Sequence, residues 1–546
     1  MHLRSLLPSR TDYAMARRTW RGDLLAGLTV GIVALPLALG FGVSSGLSAE
    51  AGLITAIVAG IVAAVFGGSH VQVSGPTGAM VVVLVPIVAT HGAGAVVTVA
   101  LLAGVIVILA GVLRLGRAVS YIPWPVIEGF TLGIAVIIFL QQVPLLTSGH
   151  TVSAGAHSAN AVVAAVQAVS DSEPGYVLWA LGAGAIVAAC MILAPRVHPA
   201  IPGSLVGIAL VTLASVLLPT PLASIGGLPT TLPLPSLPTI DPSTLAALLP
   251  AAVTVAALAA IESLLSARVA ASMADTGTYD PDRELFGQGL ASIGSALFGG
   301  MPATGAIART AVNVRSGGRS RISAVFHAVV LMAVVLVASG PVGSIPLAAL
   351  AGVLMVTAVR MVHARTVRAI VRSTRSDAVA FIATALITVA FDLIVAVIIG
   401  VVLAGIVALR GLSRASGVSR EPVMGVAEEG DDRIAILRFD GPLFFAAADR
   451  VFEEVRALHG VSVVILRMSQ LELVDATGAR ILGDIVQMLE RRGVTVLIKG
   501  VQARHEDLFQ TVGVLGALRH HRHLFISLPD AITHARSHVR REAASA

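Results

Sequence analysis

Long apolar runs separated by short polar segments occupy most of the chain from about residue 22 to residue 410. Most of these runs approach the roughly 20 residues that a helix needs to cross the hydrocarbon core of a bilayer. We therefore predict fourteen transmembrane segments, at residues 22–46, 50–67, 78–90, 94–113, 120–141, 176–195, 200–218, 246–268, 285–298, 304–314, 321–339, 344–360, 376–391 and 393–410. Two of them, 78–90 and 304–314, are too short to cross alone, so we expect two half-helices inside an all-α membrane domain.

Composition supports a protein embedded in a lipid bilayer, with 56% hydrophobic residues, 12% charged residues and a mean hydropathy of +0.89. The first 23 residues lack a short apolar core followed by a small-residue cleavage site, so we expect the first apolar run to remain as a span. The net charge of +6 comes largely from arginines in short loops, where they orient spans, so we expect no nucleic-acid partner. The single cysteine, Cys190, excludes an intrachain disulfide and a cysteine-cluster metal site.

The distribution of arginine predicts how the spans are oriented. Arg17, Arg18 and Arg21 place the N-terminus in the cytoplasm, because cytoplasmic loops are enriched in basic residues. The predicted outer loops 142–175 and 219–245 contain no lysine or arginine. An even number of spans returns the chain to the cytoplasm, so we expect a multi-pass protein of the cell (inner) membrane with both ends inside.

Two nearly identical stretches interrupt the apolar pattern, "SGPTGAM" at 74–80 and "MPATGAI" at 301–307. If the fourteen spans are two sets of seven, each stretch begins the third span of its half. An odd number of spans in each half places the second half upside down relative to the first. Paired short segments interrupted by glycine and proline in an inverted repeat indicate the binding site of a transporter.

These interrupted segments predict an anion site. Thr77 and Thr304 are candidate N-caps of helices that begin at Gly78 and Gly305. Helix N-termini present unpaired N–H groups and positive dipole ends, and two that face each other bind an anion without a cationic side chain. The alternative is that both are ordinary helix breaks in which glycine allows close packing.

Ionisable residues inside the spans are few. Glu262 interrupts a long apolar run, and a membrane carboxylate by default marks a proton relay or an ion site. Ser266 lies one turn away on the same face and can share a ligand or proton with it. Arg309 either pairs with Glu262 or adds positive potential to the anion site, and the alternative is a buried pair that fixes helix register. His327 has no second histidine at metal spacing, so we expect it to be a core residue. We expect no cofactor and no metal site.

The pattern changes after about residue 418 to short β-branched runs that alternate with helical stretches, which indicates a small α/β domain. In "LVDATGARIL", Asp475 and Thr477 lie at a predicted strand-to-helix junction, where Thr477 can cap the helix. A phosphate on Thr477 would also be stabilised by the helix N-terminus, so a regulatory phosphorylation is the second interpretation.

The predicted domains follow from these changes of pattern. They are a cytoplasmic N-terminus (1–21), a transmembrane domain (22–410) with repeats at 22–218 and 246–410, a linker (411–431) and an α/β domain (432–546).

Several motifs together resemble one known family. "LLAGLTVGIVALPLALGFGVSSGL", "VQVSGPTGAM", "IESLLSARVAASMADTG" and "FGGMPATGAIARTAVNVRSGG" are similar to the SulP anion transporters, the bacterial relatives of solute carrier family 26. "VDATGARIL" is similar to the STAS domain found at their C-termini, in which Thr477 matches the phosphoacceptor position of stand-alone regulators. The resemblance implies a seven-plus-seven inverted repeat, a core domain that moves against a gate domain, and a homodimer.

The resemblance also implies where the substrate binds, between the third and tenth spans with a contribution from an unwound "ALPLALGFG" region of the first span. The implied substrate-binding residues are Thr77, Gly78, Ala79, Thr304, Gly305, Ala306 and Pro36. Leu37 stands where many sulfate-type members have glutamine, so this segment is similar to the prokaryotic subgroup that handles bicarbonate or dicarboxylates. Glu262 is similar to the proton-coupled members, whereas the sodium-coupled bicarbonate members tend to carry aspartate there.

The first hypothesis for function is therefore proton-coupled symport of a small anion of the bicarbonate, dicarboxylate or sulfate class, with Glu262 as the proton site. The alternatives are sodium-coupled bicarbonate symport, with Glu262 and Ser266 as ion ligands, and anion exchange. Nucleobase permeases share the seven-plus-seven plan but lack the STAS tail, and a scaffold without transport is a further alternative. The sequence contains no nucleophile–base arrangement and no phosphate loop, so we do not expect an enzyme.

Overall fold

The structure is a computed structural model that describes most of the chain. The described residues are 6–117, 122–147, 160–198, 201–228, 231–238, 242–274, 276, 279–390, 399–400, 402, 405–406, 409–413 and 416–545. The chain folds into two compact units, Met1–Val401 and Val402–Ala546. Most of the predicted last span, 393–410, lies outside the described residues.

The first unit is built of helices, with two very short strands between them. Its elements are α1 (Ala16–Ser44), α2 (Ala49–Phe66), β1 (Ser74–Gly75), α3 (Gly78–His91), α4 (Ala95–Val112), α5 (Trp124–Gln141), α6 (Val143–Thr147), α7 (Ala161–Ser170), α8 (Pro174–Val197), α9 (Gly203–Leu217), α10 (Pro242–Met273), α11 (Pro281–Leu297), β2 (Thr304–Gly305), α12 (Ile307–Arg315), α13 (Arg321–Gly343), α14 (Leu347–Met361), α15 (Ala364–Val371) and α16 (Arg375–Ala390). Among the described residues, eight helical stretches are long and apolar enough to cross a membrane, and shorter apolar helices accompany them. This membrane helical fold agrees with the fourteen-span plan.

The membrane helices pack in two groups. In the core group, α1 to α4 pack with α10 to α13, and in the gate group, α5 packs with α14 and α16 while α8 packs with α9 and α14. Helix α1 also touches α14, and helix α3 also touches α5. These two helices therefore lie at the boundary between the groups.

The two interrupted segments meet inside the core group. Strand β1 pairs with strand β2 in antiparallel register, with Ser74 opposite Gly305 and Gly75 opposite Thr304. The chain continues from β1 into α3 and, after β2, into α12. Antiparallel pairing of two such similar segments agrees with an inverted repeat.

Two local predictions from the sequence were wrong. Helix α1 continues through Pro36 and its neighbours, so the region "ALPLALGFG" is helical and not unwound. Helix α12 begins at Ile307 with Ala306 as its N-cap, and Thr304 is therefore not a cap. The physical reason is that the backbone at 304–305 pairs with β1, which holds it extended.

Buried carboxylates tie the ends of the core helices together. Asp23 is fully buried and accepts hydrogen bonds from the amides of Arg319 (2.7 Å) and Ser320 (3.0 Å) just before α13. Glu284 accepts from the amides of Gly68 (2.8 Å) and Ser69 (2.9 Å), in the segment that leads to β1. These carboxylates satisfy backbone donors that have no partner within a helix.

The second unit is an α/β domain. Its elements are β3 (Gly417–Glu421), β4 (Ile434–Leu443), α17 (Phe445–Arg456), β5 (Val463–Arg467), β6 (Leu471–Val474), α18 (Ala476–Arg491), β7 (Thr495–Lys499), α19 (Ala503–Val512), β8 (Leu524–Phe525) and α20 (Leu528–Ser545). The strand order is β3-β4-β5-β7-β8, and β6 also pairs with β4. All pairs are parallel except β3 with β4.

Both faces of this sheet are covered, as expected of parallel strands. Leu437 and Leu466 face a core shared with α17, α18 and α19, whereas Ile436 and Ile465 face a second core shared with α20. The alternation of side chains along β4 and β5 thus explains their nearly continuous apolar sequences.

Close approach of two helices leaves no free space for a side chain at Gly104 of the core group. A Cβ atom added at Gly104 in α4 would lie 2.8 Å from the carbonyl oxygen of Gly289 in α11. We expect Gly104→Ala to lower the free energy of unfolding by about 1–3 kcal/mol, because the helices must separate. The measurement is thermal unfolding of the detergent-solubilised protein.

The matched control is Gly182→Ala on α8, where an added Cβ meets nothing within 4 Å. That change should be neutral or stabilise the protein by up to about 1 kcal/mol. Equal stability of the two variants would contradict the close approach of α4 and α11.

Candidate functional site

The crossing of β1 and β2 is buried, so its backbone groups need partners from protein side chains. On the segment that contains β2, alternate amides donate to hydroxyl oxygens of three neighbouring helices. The pairs are Met301 N to Thr55 Oγ1 (2.8 Å), Ala303 N to Ser292 Oγ (3.3 Å) and Gly305 N to Ser263 Oγ (3.0 Å). The amide of Ala306 donates to the carbonyl oxygen of Val73 at 2.8 Å.

The segment that contains β1 is held by side chains of α12. The pairs are Val73 N to Thr310 Oγ1 (3.0 Å), Asn313 Nδ2 to Val71 O (2.8 Å) and Arg309 Nη2 to Pro76 O (2.5 Å). Most polar residues around the crossing thus satisfy extended backbone inside the membrane, where no water is at hand to do so.

The two predicted half-helix N-termini differ in whether their backbone amides are already hydrogen-bonded. Helix α3 begins at Gly78 with Thr77 as its N-cap, as predicted, although no side chain caps it. Its first intrahelical bond runs from the Val81 amide to the Thr77 carbonyl. Among the described residues, no hydrogen bond engages the amides of Gly78 and Ala79, which are therefore free donors at a positive helix end. The amides of Gly305 and Ala306, in contrast, are already bonded.

Three side-chain oxygens meet where the strands cross. Thr77 Oγ1 and Thr304 Oγ1 each lie 2.8 Å from Oε2 of Glu262. The two hydroxyl oxygens lie 3.0 Å from one another. We call these three residues the oxygen triangle. Both threonines are buried, whereas Glu262 as a whole residue is half-buried.

Arg309 lies against β1 and not in an ion pair with Glu262. Its Nη1 atom would be 2.8 Å from a Cβ added at Gly75, and Nη1 is buried without a hydrogen-bond partner. Within the described part of the chain, no nitrogen–oxygen contact of 4.0 Å or less joins Arg309 to Glu262, although the two charges interact at longer range. The register-fixing pair considered from the sequence is thus not present, and Arg309 adds positive potential beside the crossing.

Ser266 is buried but separate from the oxygen triangle. Its Oγ atom lies 3.4 Å from Thr310 Oγ1, and among the described hydrogen bonds none joins it to Glu262. The serine that contacts the crossing strongly is Ser263, which sequence reasoning missed. A polar residue next to Glu262 in an apolar run was the available signal.

Sequence reasoning also missed two buried amides beside the crossing. Gln288 donates to Ser74 Oγ at 2.6 Å. Gln72 is buried, and neither its Nε2 nor its Oε1 has a hydrogen-bond partner in the described part of the chain. A Cβ added at Gly305 would overlap Gln72 Nε2, so this amide lies directly against β2. Both glutamines interrupt apolar or small-residue stretches, which is how the sequence could have marked them.

The boundary of the site is formed by the helices that touch both groups. A Cβ added at Gly78 would lie 2.2 Å from Cδ1 of Ile138 in α5 and 3.4 Å from Cε1 of Phe41 in α1. Ile138 belongs to the gate group, so the free end of α3 lies at the boundary between the groups. Pro36 is buried in α1, on the same helix as Phe41.

The predicted regulatory residue Thr477 lies in the first turn of α18 and is exposed. The cap of this helix is Asp475, whose Oδ1 accepts from the Gly478 amide at 2.7 Å, so the capping role given to Thr477 was wrong. Asp475 reaches the amide because it precedes the helix, whereas Thr477 is already part of it. Phosphorylation of Thr477 stays a prediction.

Comparison with known proteins identifies the fold. The structure of SLC26A9 matches with a TM-score of 0.81 over 96% of this chain and 92% of that chain, at 18% sequence identity. At this identity the match shows the fold, in which a helical membrane domain precedes a C-terminal domain with a sheet.

Two curated relatives are more similar in sequence. YvdB of Bacillus subtilis, which carries a provisional name as a sulfate transporter, is 34% identical over 90% of this chain and 93% of its own length. The bicarbonate transporter BicA of a Picosynechococcus species is 32% identical over 86% of this chain and 87% of its own length. Both are named as transporters rather than enzymes, in agreement with the expectation from the sequence.

Family profiles agree with these relatives. The sulfate permease family matches residues 20–384 and the STAS domain matches residues 426–531. The protein is therefore a member of the sulfate permease (SulP) family of anion transporters, is not an enzyme, and carries a STAS domain after its membrane helices.

Proposed function

We propose that this protein is a symporter that moves a small anion together with a proton, and that Glu262 carries the proton. The observation that supports this proposal is the oxygen triangle of Glu262, Thr77 and Thr304, with its three contacts of 2.8, 2.8 and 3.0 Å.

The number of hydrogen bonds in the oxygen triangle depends on whether Glu262 is protonated. Each threonine hydroxyl has one hydrogen to donate, and an ionised carboxylate has none. Three contacts therefore share two hydrogens when Glu262 is charged, and one contact lacks a hydrogen. When Glu262 is protonated, three hydrogens are available and each contact becomes a hydrogen bond. In the protonated state, Thr77 and Thr304 are therefore hydrogen-bonded to each other as well as to Glu262, and these bonds link the segments that contain β1 and β2.

Charge provides the coupling between the proton and the anion. The free amides of Gly78 and Ala79 follow Thr77 directly, so a substrate anion bound there is close to Glu262. Two negative charges at such range repel strongly where water is excluded. Protonation of Glu262 removes this repulsion and leaves the helix dipole and Arg309 as net positive potential. Proton and anion therefore favour each other's binding.

The contacts of Glu262 distinguish it from its polar neighbours. Thr55, Ser292, Ser263, Thr310 and Asn313 all bind backbone groups of the interrupted segments. The hydrogen bonds of Glu262 go to two side-chain hydroxyls instead. Its charge is therefore not needed to satisfy buried backbone, and a titratable role is the remaining use for an expensive membrane carboxylate.

The substrate class that we propose is a small oxyanion, namely bicarbonate, sulfate or a dicarboxylate. Free amides at a helix N-terminus recognise negative charge and small size. The relatives point the same way, since YvdB carries a sulfate-transporter name and BicA a bicarbonate-transporter name.

We further propose that transport proceeds by alternating access, in which the core group moves against the gate group at the contact of Gly78 with Ile138. A cell-membrane location, a cytoplasmic STAS domain and a homodimer complete the proposal. The arginine distribution supports the orientation, because the basic residues collect on one predicted side.

The first test is uptake of labelled bicarbonate, sulfate and dicarboxylates into proteoliposomes under an imposed proton gradient and then a sodium gradient. We expect one anion to accumulate with the proton gradient. Accumulation with sodium alone would overturn proton coupling and make Glu262 a sodium ligand. Exchange without either gradient would indicate an antiporter.

Glu262→Gln should abolish accumulation driven by the proton gradient, because glutamine keeps the size and hydrogen-bonding capacity of the side chain but carries no titratable proton. Counterflow of the same anion at equal pH should persist. The matched control is Glu128→Gln, since Glu128 bonds to Trp124 at the start of α5, away from the triangle. Wild-type accumulation by Glu262→Gln would exclude Glu262 as the proton carrier.

Thr77→Val and Thr304→Val should each lower proton-driven uptake by about 10-fold or more, because each removes one hydroxyl from the triangle while keeping its shape. Thr77→Ser and Thr304→Ser keep the hydroxyl and should remain within about 2-fold of wild type. Initial uptake rates at several external pH values measure the effect. Valine variants with unchanged rates and pH dependence would show that the triangle takes no part in coupling.

A further inference from the structure

Three histidines converge in the C-terminal domain, far along the chain from the transport site. His523 precedes β8, and His534 and His538 lie one turn apart on α20. One ring nitrogen of each histidine lies within 4.8 Å of the others. We propose that His523, His534 and His538 form a zinc-binding site that fastens α20 to the segment before β8.

The spacing of the ring nitrogens fits a tetrahedral metal ion. Nε2 of His534 and Nε2 of His538 lie 3.2 Å apart. Zinc–nitrogen bonds of about 2.0–2.1 Å in a tetrahedral arrangement place neighbouring ligand nitrogens about 3.3 Å apart. The helix thus already presents two ligands at the separation that zinc requires, without a change of backbone.

The third histidine offers a free ligand atom. His523 is buried, and its Nδ1 has no hydrogen-bond partner in the described part of the chain. The same ring donates a hydrogen bond to the backbone of Val496. A ring that is oriented by one nitrogen and leaves the other unpaired has the arrangement that metal-binding histidines use. An unpaired buried nitrogen is otherwise costly.

The set of ligand atoms also indicates which metal would bind. Three imidazole nitrogens and one solvent position suit zinc among the common divalent ions.

Zinc bound at this site would stabilise the packing of α20 against the sheet. Ile532, Ala535 and Val539 of α20 cover one face of the sheet, and the two helical histidines lie between them in sequence. A zinc ion would hold the middle of α20 to the edge that carries β8. Because zinc binds the folded arrangement and not the unfolded chain, it should raise the stability of this domain.

The test uses the full-length protein in detergent, with an affinity tag that contains no histidine, after removal of metals with a chelator. Zinc chloride is titrated in competition with a chromogenic zinc indicator. We expect one equivalent to bind, and His534→Gln and His538→Gln to weaken binding by about 10-fold or more. The matched control is His521→Gln, an exposed histidine beside His523 that should bind zinc like the wild type.

Two further measurements separate a lost metal site from a misfolded domain. Without metal, the glutamine variants should unfold at the temperature of the metal-free wild type, and zinc should raise this temperature for the wild type and for His521→Gln alone. Cobalt should give the visible absorption of a tetrahedral site in the same two proteins.

A variant that should tighten zinc binding completes the test. Arg541 lies near both helical histidines, and its charge acts on each of them. Arg541→Gln should tighten zinc binding several-fold, because it removes a positive charge near the ion. Zinc binding that is equal in the wild type and in His538→Gln, or unaffected by Arg541→Gln, would overturn the proposal.

Discussion

The membrane domain depends on a single constraint: extended backbone inside a bilayer must find every hydrogen-bond partner within the protein. The chain leaves the helical conformation twice at membrane depth, and the two extended segments pair with each other at Ser74–Gly305 and Gly75–Thr304. Two residues of pairing on each side cannot satisfy two segments of this length. Hydroxyl, amide and guanidinium groups from the surrounding helices supply the remaining partners, and they hold the crossing in place.

This constraint explains why so many polar side chains lie in an otherwise apolar domain. Thr55, Ser292 and Ser263 accept from successive alternate amides of one segment, as an extended chain with a period of two demands. Such residues resemble a binding site by composition, yet their hydrogen-bonding capacity is used by the backbone. In the described part of the chain, Glu262 and the amides of Gly78 and Ala79 differ because the backbone does not use them. These are the groups to which we assign the proposed function.

The C-terminal domain is stabilised in a different way from the membrane domain. Its parallel strands are stabilised by burial on both faces, and α20 covers one face through residues such as Ile532 and Val539. The three histidines gather at the margin of that face, where β8 is two residues long. A metal ion bound there would join a short edge strand to the helix that packs beside it.

The sequence by itself determined the class of the protein, because apolar runs of bilayer length and short β-branched runs are local patterns. It also located the crossing, since "SGPTGAM" and "MPATGAI" carry glycine and proline where helices must stop, and it marked Glu262 as a charge within an apolar run.

The sequence could not determine which polar groups remain without a hydrogen-bond partner. The pairing of β1 with β2 delayed the start of α12 to Ile307 and occupied the amides of Gly305 and Ala306. Tertiary structure alone decided three further features. Glu262 contacts two threonines that lie 185 and 42 residues away, and Ser266 is separate from it. His523 meets α20. The reason is physical: a sequence pattern reports what each segment prefers, whereas a site consists of atoms from segments that approach one another through the packing of the whole fold.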